Sequence, residues 1–381
     1  MSGPAFVDSG LPRKESCGYP LKLDPIFQER VWGVEDLTLL YATRPAAPHR
    51  VGEVWLSGDD NRVANGSWSG TTLGELTNAC GPALLGSDVF RNRTAGSAAF
   101  PLLVKFLFTT DKLSVQVHPP DSYARKREAS AGKTEMWHVV ATKPGARLAI
   151  GFREDITEKG KWDRASLRVA VESGEIENML NWIEVREGET FFIPAGTVHA
   201  IGASLVLCEI QQNSDITYRL YDYNRPGTDG KPRPLHVEKA LDVLQFHTPG
   251  GRTHPLKLAT AKPKRVCLAA CPYFVTEKWT FDSTVMVGSQ RTVEVWIGLE
   301  GVAEFEAGGE RVRCRKGEVV VTPAEMDRLT IHPLQHSVFL RTFPPDLDNY
   351  ADKILRANSL SERELRGVYF PSAGSLPKEN P

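Results

Sequence analysis

The sequence predicts a mainly β protein whose β unit occurs twice, and three observations carry that reading. Short runs rich in Val, Ile, Phe and Thr recur with turn residues between them, the texture of an all-β sandwich or barrel rather than of alternating β-α units. The stretch from Arg186 to His199, with Gly188, Pro194 and Gly196, is echoed from Arg315 to Arg328: Gly188 falls on Gly317 and Pro194 on Pro323, a displacement of 129. Thr134-Glu135-Met136-Trp137 resembles Val293-Glu294-Val295-Trp296 at a displacement of 159, so the first copy must carry an insertion of 30 residues, 159 against 129. At 381 residues, 41% of them hydrophobic, the chain is long enough for two domains with sizeable cores.

The elements follow in order. Residues 20 to 100 mix a strand-like piece, Val51 to Ser57, with a helix-like one from Leu73 to Leu76 onward. Strands are predicted at Leu113 to His118, Met136 to Ala141, Ala146 to Gly151, Thr190 to Pro194 and Leu205 to Gln211. Between Arg153 and Trp182, Leu167, Val171, Ile176 and Leu180 stand at roughly helical spacing among charged residues, a helical excursion that accounts for the insertion. Val237 to Leu244 reads as a short helix and Thr248-Pro249-Gly250-Gly251-Arg252 as a linker, after which the strand texture returns from Tyr273 to Thr342. We divide the chain into a first domain of residues 1–250, with the helical insertion at about 153–182, a second of residues 251–345, and a tail of residues 346–381 whose last ten residues lie loose.

Composition narrows the function. With 46 basic and 47 acidic residues the net charge is -1, so no broad field of one sign is present to hold nucleic acid or an anionic membrane. The six cysteines have no paired metal-finger spacing and read as reduced thiols. The first twenty residues lack the apolar run of a signal peptide, and the longest apolar stretch, Phe100 to Phe108, contains Lys105 and is too short to span a bilayer. The expectation is a soluble cytoplasmic protein, a monomer or weak homo-oligomer.

The chemistry sits in the first copy. In Leu113-Ser114-Val115-Gln116-Val117-His118 a strand period of two puts Gln116 and His118 on one face. Glu135 follows, with Lys133 on its side by the same period, and then His199 in a Gly-x5-Pro-x-Gly-x2-His frame. Two imidazoles, a carboxylate and a carboxamide oxygen are a plausible ligand set for a borderline divalent ion such as Zn²⁺. The repeat places Arg328 on His199, and a guanidinium cannot ligate a metal. Carrying the displacement of 159 back to the earlier strand sets Gln116 on Val275 and His118 on Glu277, so of four ligands the second copy keeps only Glu294. Downstream, Cys208 to Asp222 packs Glu209, Asp215 and Arg219 into a strand context, and a guanidinium there calls for an anion, a phosphate or an enediolate.

These residues resemble the class I mannose-6-phosphate isomerases of the cupin superfamily. Gly188-x5-Pro194-x-Gly196-x2-His199 is the general second cupin motif; Ser-Val-Gln-Val-His-Pro, Gly-Lys-Thr-Glu-Met-Trp, Pro-Ala-Gly-Thr-Val-His-Ala-Ile and Glu-Ile-Gln-Gln-Asn-Ser-Asp-Ile-Thr-Tyr-Arg, in that order, are specific to the isomerases. The resemblance covers about residues 20 to 345 and implies two jelly-roll-like cupin domains. By it, Gln116, His118, Glu135 and His199 hold one Zn²⁺ per chain, Lys133, Glu209, Asp215 and Arg219 carry catalysis, and Ser114 and Lys105 join Lys133 and Arg219 in binding the sugar. The implied reaction interconverts mannose 6-phosphate and fructose 6-phosphate through a cis-enediol. The proton carrier stays open among Lys133, Glu209, Asp215 and a metal-bound water, and Lys133 beside a divalent cation should have a depressed pKa. Open alternatives are an isomerase for another sugar, a sugar-binding module without catalysis, and a metal-dependent oxygenase; the Gln ligand counts against the last.

Overall fold

Among the described residues, four antiparallel sheets, stacked as two pairs, carry the fold. The computed structural model describes residues 16–42, 49–93, 99–157, 162–258, 263–358 and 361–371; the last ten residues, expected to lie loose, fall outside the described residues. In the first pair a seven-stranded sheet runs Gly251–Arg252, Thr190–Ile193, Glu135–Thr142, Leu205–Gln212, Leu102–Thr109, Val51–Ser57, Ile26–Val34. It faces a five-stranded sheet ordered Tyr218–Tyr221, Val115–Val117, His199–Ile201, Arg147–Phe152, Leu180–Glu184. The second pair repeats the plan with a seven-stranded sheet centred on Glu294–Glu300, Ser337–Phe343 and Val275–Phe281, and a four-stranded sheet of Val285–Gly288, Arg328–Pro333, Val302–Ala307 and Glu310–Arg315. The expected barrels are thus realised as open sandwiches: among the described residues no sheet closes on itself.

Strand alternation decides what each face does. Along Leu205–Gln212, Leu205 and Leu207 join the core between the first two sheets, whereas Cys208 and Ile210 turn to the other side. That other side is a core shared by both seven-stranded sheets, where Phe106, Met136 and Ile210 meet Val295, Val319, Val321 and Leu340. The central strands are therefore covered on both faces, and every residue of Leu102–Thr109 is buried. Two short strands tie the ends together across the 250/251 boundary: Leu21 pairs with Val321 in the second seven-stranded sheet, and Gly251 with Phe192 in the first.

The insertion between the strands Arg147–Phe152 and Leu180–Glu184 is helical, with an N-capped helix at Arg164–Ser173 followed by a turn at Glu175–Glu177. Leu167 and Val171 are buried as their spacing requires, but Leu180 opens the next strand, because the left-handed Gly174 has already ended the helix. That helix packs with Val237–Val243 on the outside of the five-stranded sheet. In the second pair, the equivalent strands Val302–Ala307 and Glu310–Arg315 are joined only by Gly308 and Gly309, both at positive φ, a two-residue hairpin. The tail is ordered over Leu347–Asn358, a helix whose Tyr350, Ala351 and Ile354 cover the strands Leu256–Leu258 and Lys264–Ala270.

Pairing registers correct one alignment made from sequence. His199 stands opposite Gln116, and Arg328 opposite Gly288, so the counterpart of Gln116 is Gly288 and, two residues on, that of His118 is Gln290. Val275 and Glu277 belong instead to the strand that matches Leu102–Thr109, since Glu277 faces Arg341 as Lys105 faces Glu209. One displacement does not hold along the whole chain because the loops between strands differ in length. The conclusion survives the correction, for Gly288, Gln290 and Arg328 leave Glu294 as the only ligand retained.

Candidate active site

Both sheets of the first pair contribute to one cluster. Glu135 opens a strand of the seven-stranded sheet, Gln116 and His199 are cross-strand neighbours in the five-stranded sheet, and His118 lies one residue past Val117. His118, Glu135 and His199 are buried, and their ligand atoms all lie within 4.8 Å of one another. His118 Nε2 is 3.5 Å from Glu135 Oε2 and His199 Nε2 is 3.5 Å from Oε1, while Gln116 Nε2 is 3.2 Å from His199 Nε2.

Backbone carbonyls set the imidazoles. His118 Nδ1 donates to Ile216 O at 2.8 Å and His199 Nδ1 to Thr197 O at 2.9 Å, which leaves each Nε2 a lone pair aimed at the cluster. Gly196, at φ 89°, makes the turn that delivers Thr197 and His199; a side chain there would crowd the Val243 carbonyl. Burial holds both rings neutral: it pushes the His118 pKa far down and that of His199 to about 4, with the Lys133 ammonium acting the same way. Neutral imidazole is the form that ligates a metal.

Glu135 is the anion of this cluster, and neither of its buried oxygens receives a well-aligned hydrogen bond, although Lys133 Nζ stands 2.9 Å from one. Each Nε2 lone pair now faces an N–H donor, Lys133 Nζ 3.2 Å from that of His118 and Gln116 Nε2 3.2 Å from that of His199. An under-satisfied buried carboxylate between two neutral imidazoles is a fitting cradle for a divalent cation that takes the place of those donors. The Gln116 carboxamide, whose oxygen now accepts from Ser114 Oγ at 3.2 Å, would present that oxygen to an ion in the cluster after half a turn about its last bond. Burial pulls the Lys133 pKa down, but Glu135 and Glu209 more than offset it and, among the protein's own charges, the net direction is up; the depressed value expected from sequence belongs to Lys133 beside a bound cation. Glu209 moves up as well, driven by burial and opposed by Lys133; Trp137 Nε1 donates to it at 3.0 Å.

Gln116 and Lys133 connect the cluster to a cavity of about 540 Å³, lined among others by Ser114, Gln116, Lys133, Glu209, Asp215 and Arg219. Lys105 is buried in its wall with Glu53, Glu209 and Asp215 at 3.8, 3.7 and 3.9 Å. Asp215 differs from the rest: its side chain is 71% exposed, so it stands at the rim. Arg219 pairs with Gln116 across the sheet, and its Nε is buried with no partner.

Comparison with known proteins fits this geometry. Residues 21–147 match the family model for the phosphomannose isomerase type I catalytic domain. A mannose-6-phosphate isomerase of Streptococcus mutans is 32% identical over 308 residues, covering 80% of this chain and 92% of the relative, and mannose-6-phosphate isomerase ManA of Bacillus subtilis is 33% identical over 309 residues, covering 80% and 93%. The chain belongs to the mannose-6-phosphate isomerase family. The crystal structure of the B. subtilis mannose 6-phosphate isomerase superposes with a TM-score of 0.73 at 27% identity, covering 85% of this chain and 99% of that one. Among the described residues of this mannose-6-phosphate isomerase homologue, no helix is long and apolar enough to cross a membrane.

The cavity of this family member also holds residues that sequence reasoning passed over. Arg30 is forked onto Glu53, with Nε to Oε1 at 2.9 Å and Nη2 to Oε2 at 3.1 Å, and Arg233 and His236 also line the cavity. Burial would raise the Glu53 pKa, but Lys105 and Arg30 hold it at about 2, so Glu53 stays an anion. No period marks Arg233, which sits in the loop Tyr223 to Pro234; the density of Arg and Lys in that loop is the only signal the sequence offered.

Proposed function

We propose that this chain interconverts mannose 6-phosphate and fructose 6-phosphate through a cis-enediol, using one Zn²⁺ held by Gln116, His118, Glu135 and His199, within two cupin domains of residues 1–250 and 251–345. The observation that carries the reading is Glu135, a buried carboxylate left without well-aligned hydrogen bonds between two neutral imidazoles, behind the Gln116 and Lys133 that line a cavity whose walls bear an acid, a base and a guanidinium. When bound there, Zn²⁺ supplies Lewis-acid polarisation of the sugar oxygens at C1 and C2.

The chain's own residues supply the rest. Moving a proton between C1 and C2 needs a group that both takes and returns it, and Glu209, pushed up by burial and adjoining Lys133, is suited to that exchange. Lys133 holds positive charge beside Glu135, and Arg219, beside Gln116, meets charge that develops on the enediolate oxygens. Ser114 fixes the Gln116 carboxamide, and Lys105 keeps Glu53, Glu209 and Asp215 in one network. Trp137, fully buried with its ring 5.4 Å from that of His199, walls the floor from water.

The test is a coupled assay of mannose 6-phosphate turnover on protein as purified, after chelation, and after zinc is restored. Activity that disappears on chelation and returns with zinc supports both the substrate and the metal. Fully zinc-loaded protein that leaves mannose 6-phosphate untouched sinks the assignment for this sugar.

A further inference from the structure

The cations lining the cavity are Arg30, Lys105, Lys133, Arg219 and Arg233, and most are already committed. Arg30 has Nε and Nη2 on Glu53 and Nη1 on the Glu29 carbonyl. Lys105 is surrounded by three carboxylates, and Lys133 is tied to Glu135. Two guanidiniums keep free capacity. Arg219 spends Nη1 on the Pro234 carbonyl at 2.9 Å and leaves Nε bare. Arg233 spends Nε and Nη2 on Asp222, both at 2.6 Å, which leaves Nη1 as the nitrogen not given to that carboxylate.

Charge counting around Arg233 is uneven. Asp222 is buried and serves two guanidiniums, since Arg225 also reaches its Oδ1, with Nε at 3.1 Å and Nη2 at 3.0 Å. Asp111 takes the Nη1 of Arg225, so two carboxylates serve three guanidiniums, Arg219, Arg225 and Arg233, and one positive charge is left over at the cavity wall. The Arg219 pKa is lowered, first by burial and then by Arg233 and Arg225, which places the three guanidiniums within electrostatic reach of one another. Trp32 supports the arrangement from below, its ring 4.9 Å from the Arg233 guanidinium and 5.9 Å from that of Arg225.

We infer that Arg233, braced by Asp222 and Trp32, is the specificity residue for the phosphate of the substrate, while Arg219, registered beside Gln116, serves the reacting end. This assignment rests on the proposed isomerase reading and extends it to the part of the substrate that does not react. A phosphate dianion draws on N–H donors that no carboxylate occupies and on the one positive charge left over at this wall; Arg233 keeps Nη1 off Asp222 and Arg219 keeps its Nε. Arg225 then has a positioning role: it shares Asp222, and through Nη1 it is anchored to Asp111 at 3.0 Å.

The experiment is steady-state kinetics of zinc-loaded parent, Arg233→Gln and Arg233→Lys on mannose 6-phosphate, with inorganic phosphate as competitive inhibitor. Arg233→Gln is expected to raise KM about 10- to 100-fold and the phosphate inhibition constant in parallel, with kcat within about threefold, as the loss of uniform binding requires. Arg233→Lys is expected to recover part of that loss, and it gives the same readout if the Gln variant fails to fold. A kcat that falls with KM unchanged, or a phosphate inhibition constant that does not move, overturns the assignment. If the parent turns over no mannose 6-phosphate, the isomerase reading fails on its own; calorimetry with inorganic phosphate then decides this one, supported by binding to parent but not to Arg233→Gln, and overturned by equal binding or none.

Discussion

The same buried glutamate occurs in both halves of the molecule and is neutralised in two ways. Glu135 and Glu294 occupy matching positions, paired with Ile193 and Thr322. In the first half the cross-strand position next to Trp137 is Glu209; in the second, next to Trp296, it is Arg341. Arg341 is buried and grips Glu294 with two nitrogens, Nε to Oε2 at 2.8 Å and Nη2 to Oε1 at 2.5 Å. Glu135 has no such internal partner, only Lys133 to one side. The second half carries its cation in its own sequence, and the first, on the proposed reading, receives one from solution. A buried carboxylate needs a counter-charge in either case, so the difference lies in whether that charge is exchangeable.

Reciprocal substitutions at the two glutamates test this with the largest expected effects. Glu135→Gln should lose bound zinc and, if Lewis-acid assistance is worth several kcal/mol, at least about 10³-fold in turnover. Its chelated form should unfold in urea much as the chelated parent does. Glu294→Gln should keep its zinc stoichiometry but leave the Arg341 guanidinium buried and unpaired, destabilising the fold by about 3–5 kcal/mol in urea unfolding. Should Glu294→Gln instead release zinc with little loss of stability, the two glutamates would not differ as described.

Chelation of the parent gives the next effect in size. Zinc that binds only the folded chain stabilises it by about 4 kcal/mol at a thousandfold excess over Kd, so removing it should lower the thermal midpoint by several degrees. His199→Ala should abolish that zinc-dependent shift. Arg328→Ala, at the matching position of the second half, should leave it intact, and calorimetric scans with and without chelator read both.

A smaller effect separates the faces turned toward the shared core. His138, fully buried on the strand of Glu135 with Thr190 Oγ1 2.9 Å from its Nδ1, has a pKa pushed down to about 3, by burial first and then by Lys278. Its counterpart is Ile297, since His138 opposes Cys208 and Ile297 opposes Leu340. The unfolded imidazole binds its proton near pH 6.5. The unfolded chain therefore holds one more proton than the folded chain between pH about 6.5 and about 3, and stability present above that range is lost as pH falls through it. His138→Ile, which copies the second half, should flatten the dependence of urea stability on pH by the slope of one proton. An unchanged slope would show that this ring is not what acid attacks.

Much of this contrast was legible in the sequence and part of it was not. The period of two along Gln116-Val117-His118 and Lys133-Thr134-Glu135 places those side chains by pairs, and the His199-to-Arg328 exchange needs only the repeat. The counter-cation of the second half was hidden because Arg341 faces Glu294 through pairing between strands far apart in sequence, the two residues standing 47 positions apart. The same cause misplaced Gln116 on Val275, as loop lengths shift the displacement from strand to strand. The protein charges around Lys133 were hidden for another reason: a residue's pKa depends on which charges surround it in three dimensions, and Glu209 approaches from a different strand.

The smallest expected effect is the sharpest test of what separates the halves. Arg328→His restores an imidazole at the position of His199, beside a retained Glu294, so a view in which one lost ligand disabled the second site predicts that zinc binding returns. The geometry predicts that it does not. Arg341 already fills both oxygens of Glu294, its Nη2 also lies 3.4 Å from the Gly288 carbonyl, and Gly288 has no side chain to play the part of Gln116. A divalent ion entering there would have to displace a buried guanidinium and leave it without a partner, an exchange that costs more than a single new ligand returns. Metal analysis of Arg328→His should therefore give the same zinc per chain as the parent. One further equivalent of bound zinc would mean that the guanidinium yields, and that the two halves differ by a ligand rather than by the origin of their charge.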